Sequence, residues 1–151
     1  MSTTVRVDEF HAVAGKHLGY SDWLVIEQDR VNQFADATGD HQWIHVDPER
    51  AVRESPFGGP IAHGYLTLSL VPVLLDDVLT VEGLTSGLNY GCNKVRFTAP
   101  VPVGSAVRLG VTVASVDDVP GGVQVAFDAA VEVRDAPKPA CVAQVIYRYF
   151  G

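Results

Sequence analysis

The segment from Ala62 to Leu79 restricts the fold of this chain more than any other part. Its apolar residues occupy nearly all faces of a helix, which is typical of a helix surrounded by protein. Pro72 interrupts the segment and predicts a kink, because proline donates no backbone hydrogen bond. We therefore expect one long buried helix, with the other elements built around it.

The residues after Gly83 predict the layer around this helix, because apolar and polar side chains alternate along four successive runs. A period of two is the pattern of half-buried antiparallel strands joined by turns. One buried helix and about four long strands predict the α+β class, with an antiparallel sheet wrapped around a long central helix. The alternating apolar residues are Val95 and Phe97; Val107, Leu109, Val111 and Val113; Val123, Val125, Phe127, Ala129, Val131 and Val133; and Cys141, Ala143, Val145, Tyr147 and Tyr149.

The chain is predicted to form a single domain, residues 1–151, because it contains no linker-like segment. Before the central helix, capping aspartates, proline and glycine predict where shorter elements begin and end. The expected elements are a helix ending near Gly15, a strand at 23–26, a helix from about Asp29 to Gly39, and a helix that Asp47 and Pro48 start and that ends before Ser55. The expected loops are Glu54–Pro60, Asp117–Gly122 and Asp135–Pro139.

The composition argues against several classes of function. With 11 Lys+Arg and 18 Asp+Glu the net charge is -7, whereas general affinity for nucleic acid or an anionic membrane needs a positive surface. The apolar run from Tyr65 to Leu75 is too short to span a bilayer. Cys92 and Cys141 lack metal-type spacing and no signal-peptide pattern precedes them, so we expect free thiols and a cytoplasmic protein.

Asp40 and His45 lie five positions apart, just after the expected helix end at Gly39. An acid and an imidazole that converge in one loop are suited to catalysis of proton transfer. An ordinary interpretation stays open, because an aspartate after glycine commonly bonds its own backbone and a partly buried histidine commonly bonds a carbonyl. The pair alone does not decide between chemistry and loop structure.

A second cluster, Ala62-His63-Gly64, lies at the start of the central helix. Free N–H groups and the positive end of the helix dipole meet there, which favours a developing oxyanion. Gly64 has no side chain to block a ligand from its N–H group. Together with Asp40 and His45, this helix end supplies the parts needed for proton chemistry beside a carbonyl group.

Three motifs stand out along the chain: FADATGDHQWIH at 34–45 with Ala51 six residues further on, PIAHG at 60–64, and KVRF at 94–97 with Pro100-Val101 and Val103-Gly104. These motifs resemble those of the (R)-specific enoyl-CoA hydratases, also called hydratase 2 or MaoC-like dehydratases. The similarity extends from about Ser21 to Phe150 and is greatest to the bacterial single-domain members.

The resemblance implies a hotdog fold, in which two subunits join their sheets as a homodimer. It implies (R)-specific hydration of trans-2-enoyl thioesters of coenzyme A or acyl carrier protein, and the reverse dehydration, with no separate cofactor and no metal. Asp40 and His45 would activate one water, while the Gly64 N–H group would bind the thioester carbonyl oxygen. The further residues assigned to substrate binding are His63, Gln42, Trp43 and Tyr65.

Gln42 and Trp43 replace the Asn-Pro that is usual in this family, so we expect the preferred acyl chain to differ. Two other functions remain open. A thioesterase of this fold would need a carboxylate on the central helix, which has none before Asp76. A non-catalytic acyl-binding subunit of a dehydratase heterodimer would be expected to lack the Asp40 and His45 pair.

The remaining polar candidates each have a simpler interpretation. His41 and His45 have a spacing that would suit zinc on a helix, but both follow the expected helix end, so we expect no metal there. His63 at a packed helix start is more often structural than catalytic. Lys94 and Arg96 form either a solvated strand face or a contact with nucleotide phosphates.

Overall fold

An antiparallel sheet and a layer of short helices share one hydrophobic core in this protein. The structure is a computed structural model that describes residues 2–151, so Met1 of the predicted domain 1–151 lies outside the described residues. The arrangement confirms the predicted α+β class.

Most of the strands in residues 2–151 belong to one main sheet. They are β1 Thr3–Arg6, β2 His17–Tyr20, β3 Leu24–Val25, β4 Leu79–Glu82, β5 Ser86–Phe97, β6 Ala106–Val119, β7 Gly122–Val133 and β8 Cys141–Phe150. The main sheet has the order β2-β6-β7-β8-β5, with β3 also paired to β6, and all its pairs are antiparallel. Strands β1 and β4 pair separately and in parallel. The four long strands that the alternation predicts are therefore β5 to β8.

The helices are all short. They are a 3₁₀ helix at Val7–Val13, then α1 Gln28–Thr38, α2 Trp43–Val46, α3 Pro48–Glu54, α4 Gly64–Ser69 and α5 Val71–Asp76. Two predicted boundaries are confirmed by their geometry. Gly39 ends α1 with a left-handed φ of 83°, and the Asp47 side chain accepts a 3.1 Å hydrogen bond from the Arg50 N–H at the start of α3.

The core lies between the inner face of the sheet and the helices. Alternate residues of β6, from Val107 to Val113, are buried, and the predicted inward residues of β7 and β8 are buried as well. Phe10 of the 3₁₀ helix is fully buried and stacks on Tyr149 of β8, with ring centroids 5.3 Å apart. The hydropathy pattern thus identified the inner face of these three strands correctly.

The segment predicted as a kinked, buried helix from Ala62 to Leu79 is helical and interrupted near Pro72 as expected, but it is shorter than predicted and not buried on all faces. The segment forms α4 and α5, six residues each, with a break at Leu70, and Leu79 already belongs to β4. Pro72 accounts for the break, because it has no N–H to donate to the preceding turn. The segment is also not surrounded by protein within one chain, since Tyr65 is 71% and Val73 54% exposed.

Two smaller expectations also need correction. The expected loop at Asp117–Gly122 is mostly strand, because β6 extends to Val119 and β7 begins at Gly122. Gly121, with a φ of 81°, completes the tight turn that lets the two strands continue pairing. The expected strand at 23–26 is only Leu24–Val25. No helix within residues 2–151 is long and apolar enough to cross a membrane.

Candidate functional site

Asp40 and His45 occupy the short connection between α1 and the end of α2. The left-handed Gly39 turns the chain sharply, so that Asp40 begins a loop and His45 falls on the single turn of α2. Asp40 is exposed, whereas His45 is only 9% exposed. The sequence motif therefore forms a local turn that carries one accessible carboxyl group and one nearly buried imidazole.

Both residues make the ordinary contacts that the sequence left open. The Asp40 carboxylate accepts a 3.4 Å hydrogen bond from the Gln42 N–H, and His45 Nδ1 donates to the Ile61 carbonyl at 2.7 Å. Because a carbonyl only accepts, the proton of a neutral His45 must be on Nδ1, which leaves the lone pair on Nε2. The bond to Ile61 therefore leaves Nε2 free to accept a proton.

His63 joins this pair to form a cluster of three side chains. Asp40, His45 and His63 each offer one carboxylate oxygen or ring nitrogen that could ligate a metal, and these three atoms lie within 4.8 Å of one another. His63 is 3% exposed, its ring stacks on that of His45 with centroids 3.9 Å apart, and its Nε2 lies 3.0 Å from the Asp40 carbonyl oxygen. The two motifs, 23 residues apart in the chain, thus meet at one place.

The cluster has the residue types of a metal site but an unsuitable arrangement of rings. An imidazole binds a metal along the in-plane direction of its nitrogen lone pair, so two ligating rings must converge on the ion. The rings of His45 and His63 are instead stacked, with planes 26° apart. Their geometry fits packing of one ring on the other. His41 is not a member of this cluster, and its Nε2 bonds the Asp36 carboxylate at 2.9 Å.

Gly64 begins α4 directly beside this cluster. Its N–H belongs to the first helical turn, where backbone donors have no partner within the helix. It lines a cavity of about 300 Å³ together with Phe57, Thr67 and Phe97. The ring of Phe97 lies so close that a Cβ on Gly64 would be 3.1 Å from it. Only glycine fits here without displacing that ring.

The structure places Tyr65, Trp43 and Gln42 around the cluster rather than within it. Tyr65 is exposed, and its ring meets that of Phe97 edge to face at 5.8 Å. Trp43 is half-buried, and the Arg50 guanidinium lies 4.4 Å from the centre of its ring. Gln42 is exposed and contacts Asp40 through its backbone. Their roles in substrate binding stay predictions.

His41 is the titratable group of this loop whose pKa is clearly displaced. Its Nε2 lies 2.9 Å from an Asp36 carboxylate oxygen, and this hydrogen bond, with smaller contributions from the charges of Asp36 and Asp40, raises the pKa of His41. The side chain is exposed. His41 thus carries positive charge next to Asp40 to a higher pH than a free histidine would.

Gln28 is a residue of this site that the sequence did not indicate. It is the first residue of α1, and its side-chain amide donates to the His45 carbonyl at 2.7 Å and to the Asn32 side chain at 3.0 Å. A glutamine in the first turn of a helix is too common to signal such a contact. Only the folded chain brings Gln28 to His45.

Lys94 is remote from the cluster in a different cavity. It contributes to a trough of about 590 Å³ on the opposite, outer face of the sheet, which Tyr20, Asp128 and Glu132 also line. The carboxylates there offset the charge of Lys94, which is unfavourable for phosphate groups. This trough is larger than the cavity at Gly64, but the cavity is lined by Ile61, whose carbonyl bonds His45, and by Gly64, which directly follows His63. The smaller cavity therefore is the better candidate site.

Comparison with known proteins identifies relatives along the whole chain. Residues 9–134 match the family described as "MaoC like domain". The "3-hydroxyacyl-thioester dehydratase Z" of Mycobacterium tuberculosis is 54% identical over 150 residues, 99% of each chain.

Solved structures with the same fold were also found. "R-Hydratase PhaJ1 from Pseudomonas aeruginosa" superposes with a TM-score of 0.72 at 24% identity, covering 90% of this chain and 81% of that one. The "ChsH1-ChsH2 complex from Mycobacterium tuberculosis" superposes with a TM-score of 0.71 at 20% identity, covering 91% and 98%. At these identities the likeness concerns the fold, and it confirms the expected hotdog architecture.

Proposed function

This chain belongs to the MaoC-like domain family, and from that membership we propose that it is an acyl-thioester hydro-lyase. It hydrates trans-2-enoyl thioesters to (3R)-hydroxyacyl thioesters and catalyses the reverse dehydration. The observation that carries the proposal is the convergence of Asp40, His45 and His63 beside the first N–H groups of α4. The dehydratase name of the relative at 54% identity supports the same reaction class.

The reaction uses the Gly64 N–H group and the Asp40–His45 pair at the same time. The thioester carbonyl oxygen accepts a hydrogen bond from the Gly64 N–H, which makes the β carbon electrophilic. A water held by the Asp40 carboxylate gives a proton to His45 Nε2 while its oxygen bonds to the β carbon. The π electrons move towards the carbonyl oxygen, and the pair returns a proton to the α carbon on the same face.

The contribution of each part of this mechanism to the rate has a characteristic magnitude. General acid–base catalysis by a positioned side chain contributes roughly a hundredfold to ten-thousandfold in rate. A single oxyanion donor contributes on the order of 3 kcal/mol to stabilisation of the transition state. The Asp40–His45 pair and Gly64 are therefore both needed for efficient turnover. No metal or separate cofactor takes part, because coenzyme A or an acyl carrier protein arrives with the substrate.

Hydrolysis of the thioester is the less suitable alternative. It would require a carboxylate on α4 or α5 that reaches the thioester, and the segment from Gly64 to Leu75 contains neither aspartate nor glutamate. Thr67, which lines the cavity, is buried and directs its hydroxyl at the His63 carbonyl. Asp76 ends α5 and does not line the cavity, so the site offers an acid–base pair for water addition but no carboxylate among its helix residues.

The edge of the main sheet supports a dimer. Strand β5 is an edge strand, and Leu88, Tyr90 and Phe97 are exposed along it. An exposed edge of this kind favours pairing with another strand. We place a second copy of this chain there, which gives a homodimer that also covers Tyr65. The heterodimer alternative has less support, because this chain keeps both Asp40 and His45.

Two finer features complete the proposal. Gln42 and Trp43 stand between Asp40 and His45, so they influence which acyl chains are accepted. Cys92 and Cys141 are both free thiols, as expected for a protein of the reducing cytoplasm. The single domain of residues 1–151 then acts as one catalytic unit per chain.

The test is incubation of the protein with crotonyl-CoA. The loss of enoyl absorbance measures the rate, and the stereochemistry of the product is then determined. We expect the (3R)-hydroxyacyl thioester, with Asp40→Asn and His45→Gln each lowering kcat/KM about a hundredfold or more. The matched controls are Asp118→Asn and His11→Gln, an exposed pair 2.8 Å apart between β6 and the 3₁₀ helix, which should keep the parent rate.

Three results would contradict the proposal in different ways. Release of free coenzyme A would identify a thioesterase. Parent protein that turns over neither short nor long enoyl thioesters would favour the non-catalytic subunit. Rates of Asp40→Asn and His45→Gln that stay within a few-fold of the parent would refute the assigned pair while leaving the reaction class intact.

A further inference from the structure

We propose that His63 is a positioning residue, which holds Asp40 and His45 in their mutual geometry without itself touching the substrate. This inference rests on the proposed hydration reaction. It differs from the substrate-binding role that the sequence suggested for His63, and it follows from the contacts of the buried imidazole.

The first contact orients Asp40. His63 Nε2 lies 3.0 Å from the Asp40 carbonyl oxygen, and because that oxygen only accepts, Nε2 is the donor. Asp40 directly follows the left-handed Gly39 and has no helix to hold its backbone. The bond from His63 therefore fixes the peptide from which the Asp40 side chain extends.

The second contact orients His45. The two imidazole rings stack with centroids 3.9 Å apart and planes 26° apart. The Phe34 ring also packs against His63, with centroids 4.9 Å apart and planes 52° apart, so His63 contacts two neighbouring rings. His45 is thus held at its edge by the Ile61 carbonyl and on its face by His63. Together these restraints keep Nε2 aimed in one direction.

The third contact connects the pair to the oxyanion site. The His63 carbonyl accepts a 3.2 Å hydrogen bond from the Thr67 N–H, which makes His63 the residue that precedes α4. The next N–H along the chain is that of Gly64. A shift of His63 would therefore displace the acid, the imidazole and the proposed oxyanion donor at once.

The remaining nitrogen of His63 shows why its role is not contact with substrate. Nδ1 is buried and has no hydrogen-bond partner among residues 2–151. With the proton on Nε2, Nδ1 is a bare acceptor in a place that solvent does not reach. A histidine kept buried with one nitrogen unused is explained by the ring stack and the single donor bond.

Two substitutions separate the hydrogen bond to the Asp40 carbonyl from the ring stack on His45. His63→Gln keeps an amide donor at the reach of Nε2 but removes the ring, whereas His63→Phe keeps the ring but removes the donor. We expect each variant to lower kcat for crotonyl-CoA about tenfold or more, because small misplacements of catalytic groups are costly. We expect the KM and the affinity for butyryl-CoA, which cannot be hydrated, to stay within about threefold of the parent.

A structural role alone would give a different result. It would lower the thermal stability of the variants while the kcat of the folded protein stayed at the parent value, which would overturn the proposal. Phe34→Leu provides a further variant if one of the others fails to fold. It removes the ring that packs on His63 but leaves His63 and its bond to the Asp40 carbonyl in place. It should lower kcat less than His63→Gln does.

An NMR measurement separates this inference from the proposed function. In protein with ¹⁵N-labelled histidine, we expect His45 to show one Nδ1–H tautomer in the parent and a mixture in His63→Gln. If the parent does not hydrate enoyl thioesters, the proposed function fails, yet this signal still tests the positioning. If the His45 signals are unchanged in both His63→Gln and His63→Phe, the positioning role is refuted.

Discussion

The side-chain amide of Gln28 donates a 2.7 Å hydrogen bond to the backbone carbonyl of His45. This bond ties the first turn of α1 to the single turn of α2, which is too short to be stable alone. Together with the bond from His45 Nδ1 to Ile61, it holds both the backbone and the ring of His45. The position of the proposed base is therefore set by residues distant from it in sequence.

Gln28→Met is predicted to weaken both stability and activity. The thioether keeps the shape of the side chain but removes its donor, leaving the His45 carbonyl without that bond, at a cost of about 1 kcal/mol. We expect a lower melting temperature and a kcat for crotonyl-CoA several-fold below the parent. Asn32→Ala removes the weaker partner of Gln28 and serves as the control, with little change expected. Parent-like kcat in Gln28→Met would show that His45 is held sufficiently by Ile61 and His63.

Gly64→Ala is predicted to damage the site through Phe97. The new Cβ would lie 3.1 Å from that ring, which must then move. Overpacking of this kind costs about 1–3 kcal/mol, and we expect the lower end because Phe97 is partly exposed. Turnover of crotonyl-CoA should fall about tenfold or more, since the displaced ring and the methyl group crowd the Gly64 N–H.

Two further variants check that explanation of Gly64→Ala. Gly59→Ala adds a methyl group where nothing lies within 4 Å and should behave like the parent. Gly64→Ala combined with Phe97→Leu should recover part of the lost stability, because the smaller side chain leaves room. Failure of the double variant to recover any stability in urea unfolding would mean that Phe97 is not the obstacle.

The pair of His41 and Asp36 is predicted to stabilise the fold at low pH and to lose this effect as the pH rises through the raised pKa of His41. The pKa of His41 is raised by the bond to Asp36, so its charged form is favoured in the folded state. That contribution is complete below the ordinary histidine pKa of about 6.5 and is lost as the pH rises through the higher folded value. Urea unfolding of Asp36→Asn and parent should therefore differ more at about pH 5.5 than at about pH 8.5.

A suitable control for this pH effect is Asp8→Asn. Asp8 pairs with Arg6 at 3.2 Å, and arginine stays charged throughout this range. The difference between Asp8→Asn and the parent should be nearly the same at both pH values. An Asp36→Asn difference that is equally independent of pH would contradict a titrating His41 as the cause.

The two cysteines are predicted to react very differently. Burial raises the pKa of the Cys141 thiol to about 11, with a smaller contribution from Cys92, whereas Cys92 is exposed. Because the thiolate is the reactive form, iodoacetamide at about pH 8 should spare Cys141 in the folded protein. In Cys92→Ser, mass spectrometry should detect no alkylation without urea and one alkylation with it. Rapid alkylation of native Cys92→Ser would show that Cys141 is accessible.

The strands were predictable because their signal is local. Along β6, β7 and β8 each inward residue is two positions from the next, so the sequence alone shows which face is buried. In the segment from Ala62 to Leu79, the position of the helix break was predictable, but the exposure of the segment was not. Pro72 removes one hydrogen bond by its chemistry, whereas the exposure of Tyr65 and Val73 depends on how much surface the sheet covers.

The candidate site divides in the same way. The sequence by itself determined that Asp40 and His45 are near each other, because Gly39 ends α1 and only four residues separate the pair along the chain. Only the tertiary structure decided how that pair is held. The Ile61 carbonyl, the Gln28 amide and the His63 ring come from 16 to 23 residues away, and no periodicity or spacing encodes contacts made when separate elements pack together.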